Sequence, residues 1–153
     1  MTADVDAVLD ACVTRLEALG LAVGGVVVPV SKAKQPHQEQ GQTPLTQFTV
    51  CPKQPSPRPS VKLDNVHDLD SFCVQLVLWT PGDRSRTTNL GDLAAIEKAV
   101  FEAFDDRPPD DLGLADVLDV RADTATYLDR AAYLQGWDAS ATDVTVEIVR
   151  VRA

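Results

Sequence analysis

Histidine, methionine and the aromatic residues are scarce in this chain of 153 residues, which holds two His, one Met, two Trp, two Tyr and four Phe. With His37 and His67 as its only imidazoles, it is poor in the side chain that most often serves as general base or metal ligand. His37 falls in a polar loop and His67 in the turn-like stretch Asp-Asn-Val-His-Asp, neither within a motif. There is no Gly-x-Ser-x-Gly elbow, no Gly-x-x-x-x-Gly-Lys phosphate loop and no His-Glu-x-x-His helix, so hydrolase, nucleotide-binding and zinc-protease signatures are missing. Gly24-Gly25 alone makes no phosphate cradle. Long apolar runs are missing too: none approaches the roughly 18 residues that span a membrane. The start, Met-Thr-Ala-Asp-Val-Asp, is acidic and leads into no apolar signal region, which points to a cytoplasmic chain.

Cysteine is limited to Cys12, Cys51 and Cys73. An odd number cannot all pair internally, and each lies in an apolar element, so they read as reduced thiols that act as small hydrophobes. His67 with Cys51 and Cys73 lacks the Cys-x-x-Cys spacing of a zinc site. No metal or cofactor is expected. Twenty-three scattered acids define no paired-carboxylate site by themselves.

Positive charge is also in short supply, and the net charge of −9 has the wrong sign for general nucleic-acid binding. Its distribution is uneven. Residues 31 to 62 set Lys32, Lys34, Lys53, Arg58 and Lys62 against Glu39, a surplus of four, so the remainder carries −13. A basic arm therefore sits on an acidic body. The length suits one domain, 1–153, able to bury roughly 70% of the surface its unfolded chain would expose.

What is present is a clear succession of elements. Val5, Val8, Leu9, Cys12, Val13, Leu16 and Leu19 recur at helical steps, with Thr2 or Asp4 as cap and Gly20 as stop. Leu21 to Val30 reads as a strand that ends at, or lies on, an edge, since Pro29 has no donor for an interior ladder. Ser31 to Pro44 has no aromatic or large aliphatic residue and reads as a mobile loop, most of all over 31–44. Leu45 to Cys51 recovers strand character. The segment 52–60, with four prolines, reads as a stiff crossing, either a strand-to-strand connector or a ligand for an SH3-like partner. Val61 to Val66 adds a short strand.

The stretch Asp70 to Phe104 organises the rest. Phe72, Val74, Leu76 and Leu78 share one face of an extended chain; Cys73, Val77 and Trp79 make the other face apolar as well, so a central strand covered on both sides is expected. A helix follows, with Asn89 as cap, Asp92 three residues on, and Leu90, Leu93, Ile96 or Glu97, Val100, Phe101 and Phe104 in helical register. The acidic, proline-paired stretch 105–111 ends it and reads as a solvated turn. Ala115 to Ala122 fits strand or helix, with strand preferred; Asp123 to Ser140 reads as a helical turn and loop; Thr142 to Val151 alternates as a terminal strand. Two strong helices among several adjacent strands make this an α+β fold, a mainly antiparallel mixed sheet packed by two main helices. Arg84 and Arg86 stand in the loop after Trp79. There Trp79 is either part of a recognition surface or a core residue next to a solvated loop.

The layout resembles the small tail-terminator (tail-completion, neck) proteins of long-tailed bacteriophages and prophages. The likeness lies in the helix at Val5 to Leu19, Val-Val-Val-Pro at 26 to 29, a long loop, the strand at Phe72 to Thr80, the helix at Leu90 to Phe104, and Tyr-x-x-x-Gly-Trp-Asp at 133 to 138 before the Val-Thr-Val-Glu-Ile-Val strand. It covers nearly the whole chain through order and length, and the proline-rich segment 52 to 59 departs from it. The resemblance implies a virion protein that forms a ring, usually of six copies. Such a ring caps the tail tube, stops its growth and meets the head connector, with DNA only passing through. It needs no catalysis, no cofactor and no membrane. Its partners would be itself, the tail-tube protein and the connector. The likeness carries over no site residue; the basic arm, the loop after Trp79 and the late aromatic stretch mark Lys32, Lys34, Arg84, Arg86 and Trp137 as the expected interface residues. Another neck or adaptor subunit, or a small enzyme or ligand-binding domain, are the competing readings.

Overall fold

A computed structural model describes residues 4–33, 46–53, 60–62, 64–81, 90–104, 112–126 and 137–151. Along them run α1 (Val5–Leu19), β1 (Ala22–Val23), β2 (Val26–Val27), β3 (Val30–Lys32), β4 (Gln47–Pro52), β5 (Ser60–Lys62), β6 (His67–Pro81), α2 (Leu90–Phe104), β7 (Val117–Thr126) and β8 (Trp137–Val151). The main sheet has the order β3-β4-β6-β8-β7, with β5 also paired to β6. β3 runs parallel to β4, and every other pairing in it is antiparallel. The α+β class and the mixed sheet with two helices follow the sequence pattern.

The centre of the sheet is the β6–β8 ladder, which runs without a register shift from His67 opposite Val151 to Pro81 opposite Trp137. Val74, Leu76 and Leu78 of β6 meet Val144, Val146 and Ile148 of β8 in one core with Phe48 and Val50 of β4 and Val120 of β7. Both helices lie on this face. Val8, Leu9, Cys12 and Leu16 of α1 and Leu93, Ile96, Val100 and Phe104 of α2 join the same cluster. Among the described residues both helices share one face, and the cover expected on the other face of β6 shows in Val77, which is buried together with Thr49 and Cys51 of β4 on that side. Cys73, Gln75 and Trp79 on the same face are only half-buried.

α1 begins at Asp4, whose Oδ1 accepts the Ala7 N–H at 2.9 Å, and it ends at Gly20 in the left-handed region, φ 60. The two helices meet where Arg15 stacks 5.7 Å from the centroid of the Phe104 ring and its Nη1 donates to the Ala103 carbonyl at 3.0 Å.

The single strand expected over Leu21 to Val30 is instead broken in two places. Gly24 and Gly25, at φ 58 and 82, form a two-residue turn between β1 and β2. Positive φ at both central positions gives the turn whose twist matches a hairpin, and glycine adopts it without strain. Pro29 then interrupts the chain before β3, which does lie on a sheet edge. Ser31 and Lys32 belong to β3 rather than to the loop, because the β4 backbone partners them; residues 34–45 lie outside the described residues. The helical turn and loop read over Asp123 to Ser140 are also corrected at both ends, since β7 continues to Thr126 and β8 begins at Trp137.

The proline-rich connector links two strands that both pair with β6. From Pro52 to Ser60 the chain advances eight residues, while the partner on β6 moves only four, from Val74 to Asp70. Residues 54–59 themselves lie outside the described residues.

Candidate functional site

The sequence singled out five interface residues, and the structure locates two of them. Lys32 ends β3, where its Nζ lies 2.8 Å from Asp6 Oδ1 and 2.7 Å from Asp10 Oδ1 on α1. Hydrogen bonds to Asp10 and then Asp6 push its pKa up to about 12. Lys32 thus clasps the edge strand to the first helix. Trp137 opens β8 opposite Pro81, at one end of the central ladder. Lys34, Arg84 and Arg86 lie outside the described residues, as do His37, Arg58, Tyr127 and Tyr133.

Next to Lys32, the first turns of α1 and the ends of β3 and β4 enclose a groove of about 400 Å³ lined by Val5, Asp6, Leu9, Lys32, Ala33 and Pro52. Its floor is apolar, and Asp6 and Lys32 form a charged rim. The β1–β2 hairpin presents a second apolar feature: Val26 and Val27 are 70% and 65% exposed. Successive strand residues point to opposite sides, so exposure of both means that the tip stands clear of the body. Its root is fixed. Val23 and Val28 are buried, the Val28 N–H donates to the Leu21 carbonyl at 2.8 Å, and the Gly24 N–H donates to Asp92 Oδ2 at 2.9 Å. Asp92, placed by sequence in the α2 cap, also holds the hairpin.

The sheet face turned away from the helices carries a polar cluster. Lys53 Nζ pairs with Asp143 Oδ2, and Gln75 Nε2 donates to Asp143 Oδ1 at 3.4 Å. Cys51 Sγ lies 3.6 Å from the Gln75 carbonyl. Burial first, and the Asp143 charge second, push the Cys51 thiol up to about 11 and raise that of Cys73 too. Raised thiols are poor nucleophiles at neutral pH, so this arrangement supplies no activated sulfur. None of the three cysteines is in a disulfide; Cys12 and Cys51 are buried and Cys73 is half-buried.

His67 closes a surface turn. Asp64 Oδ1 accepts the backbone N–H groups of Val66 and His67, both at 2.7 Å, and His67 Nδ1 lies 2.9 Å from Asp64 Oδ2. Among the described residues no group of three His, Cys, Asp or Glu side chains converges as a metal site, and no helix is long and apolar enough to cross a membrane. The hairpin valines were missed as surface residues. Their signal is the Gly-Gly pair flanked by valines, which is the pattern of a two-residue hairpin turn.

No family model matches the chain, and no curated protein matches it either.

Proposed function

We propose that this protein is a structural ring subunit of the tail-terminator kind. Its copies join head to tail, cap a phage or phage-like tail tube, end its polymerisation and offer a second face to the head connector. The observation that carries the reading is that the sheet ends in two unlike edges. β3 is short, parallel to its neighbour and ends in Lys32; β7 is long, antiparallel, and presents exposed Leu118 and Asp123. A closed ring of identical subunits needs two different surfaces on each copy, joined by a rotation that closes. Among the described residues both helices lie on one face of the sheet, so its two faces supply two further unlike surfaces for two different partners. A net charge of −9 suits a passage that lets DNA through without gripping its phosphates. The neighbouring neck subunits share much of this chemistry, and control of tube length separates them.

The test is polymerisation of a phage tail-tube protein with and without this protein, followed by electron microscopy of tube lengths. Capping shortens the tubes and leaves a ring at one end; an unchanged length distribution with no bound protein sinks the reading. Six copies correspond to a mass of roughly 100 kDa by light scattering.

A further inference from the structure

β3 is held in the main sheet by few bonds. It pairs with β4 over three residues, Val30 with Phe48, Ser31 with Thr49 and Lys32 with Val50, and it does so in parallel, the less stable pairing per residue. The central ladder of β6 and β8 runs over fifteen. The two ends of β3 are secured by different means. At its start, Val28 is buried, Val30 packs against the core, and the Phe48 N–H donates to the Pro29 carbonyl at 2.9 Å. At its far end Ser31 and Lys32 are exposed, and the Ala33 N–H donates to the Val50 carbonyl at 2.9 Å. There the side-chain anchor is ionic: Lys32 Nζ bridges Asp6 and Asp10 of α1, and the three side chains are 40%, 67% and 58% exposed. Salt screens exposed charges, whereas burial of the valines does not depend on them.

We propose that the Lys32–Asp6–Asp10 clasp is a salt-sensitive latch on β3: screening or removing its charges frees the Lys32 end of the strand from β4, while the Val28–Val30 end stays docked. The strand then opens by peeling from one end, a local opening that leaves the rest of the sheet intact. Peeling breaks the Ala33–Val50 hydrogen bond first and bares the outer edge of β4 at Val50. Asp6 and Asp10 stand four residues apart on one helix, so without Lys32 between them they repel and do not re-form a substitute contact. The latch works within a single copy and does not depend on ring formation.

The experiment is amide hydrogen exchange of the full chain, followed residue by residue by NMR and referred to the rates of unstructured peptides. Two sodium chloride concentrations, about 20 mM and about 500 mM, shorten the screening length from about 20 Å to about 4 Å. Protection of the Ala33 amide should fall about fivefold in high salt, the size expected for exposed ion pairs. Protection of the Phe48 amide, at the docked end of the same strand, should change less than about twofold, and that of Val74 and Val144 in the central ladder should not change. Lys32→Met, which keeps the apolar stem, should show the lower Ala33 protection at both concentrations. Asp6→Asn with Asp10→Asn is the second variant, expected to behave alike, and circular dichroism melting establishes that both fold. Ala33 protection that ignores salt in the native chain, or a salt effect that survives in Lys32→Met, overturns the latch. So does an Ala33 amide unprotected even in low salt, because β3 would then be open from the outset. Equal losses at Ala33, Phe48 and the central ladder would place the salt effect in global stability and overturn it too.

Discussion

Lys53 and Asp143 form an ion pair that reaches across β6. Lys53 follows β4, Asp143 belongs to β8, and Gln75 of the strand between them donates to the same carboxylate. The lysine side chain is 41% exposed and the aspartate only 13%. The anion is thus the partner that depends on the contact, while the lysine can return to water. The hydrogen bond to Asp143 raises the Lys53 pKa, outweighing burial, which lowers it.

Lys53→Met should therefore destabilise the protein by about 1 kcal/mol, a modest figure because solvent screens the exposed lysine. Asp143→Asn should cost less, since the amide still fits beside Gln75. Urea unfolding of both single variants and the double variant checks this; additive losses would show that the pair is not coupled.

Asp64 ties together the turn before β6, and its accepted hydrogen bonds, from the Val66 N–H first and then from His67, hold its pKa down to about 2, against 3.8 for a free side chain. A depressed folded-state pKa stabilises the protein above the unfolded value and ceases to do so as pH falls through the folded one. The urea midpoint of the native chain should exceed that of Asp64→Ala at pH 5, and the gap should shrink through pH 3 and close near pH 2. A gap independent of pH would place the effect in packing instead.

Phe104 is fully buried beneath Arg15 and closes the core between the two helices. Phe104→Ala should cost about 3–5 kcal/mol, read from denaturant unfolding. Arg15→Met, which keeps the apolar stem but loses the guanidinium over the ring, should cost about 1 kcal/mol.

The thiols should be slow to react. At pH 8 the buried Cys12 and Cys51 should resist a disulfide reagent until the protein unfolds, and Cys73 should react first. Counting reactive thiols before and after adding guanidinium checks the order; immediate reaction of all three would contradict the burial of Cys12 and Cys51.

Gly25 at φ 82 has open space around its Cα, so strain alone opposes a side chain there. Gly25→Ala should cost about 1–2 kcal/mol of hairpin stability, whereas Gly24→Asn, a residue suited to the first position of such a turn, should be nearly neutral. Thermal melts of the two variants make the comparison.

The elements that were legible in the sequence are those whose pattern is local. Val8, Leu9, Cys12 and Leu16 place α1 with its buried stripe, and Val144, Val146 and Ile148 place the inner face of β8, because helical and alternating spacing can be read within one segment. What escaped depends on neighbours distant along the chain. Cys73, Val77 and Trp79 mark a second apolar face of β6, but the sequence does not say that both helices pack on the first. Ser31 and Lys32 looked like loop because only the β4 backbone, more than a dozen residues on, makes them a strand. Thr124 and Thr126 are polar strand residues whose pairing comes from Thr142 and Ala141 of β8. The interaction surfaces were hidden for the same reason. The sequence marks Lys32 as an interface residue of a basic arm, and only the fold brings Asp6 and Asp10 against it.

The uninterrupted ladder between β6 and β8 also sets a length scale. Fifteen residues of extended chain reach about 50 Å, while each helix packed on it is about 22 Å long. The two-strand ribbon is thus longer than either helix packed on it. Amides in the middle, beneath α1 and α2, should exchange with solvent most slowly and those toward the tips progressively faster. Tension along the strands would load every rung of the ribbon in shear at once, whereas a force across one tip would peel them apart in sequence. A domain built on such a ribbon should bear axial load better than lateral load.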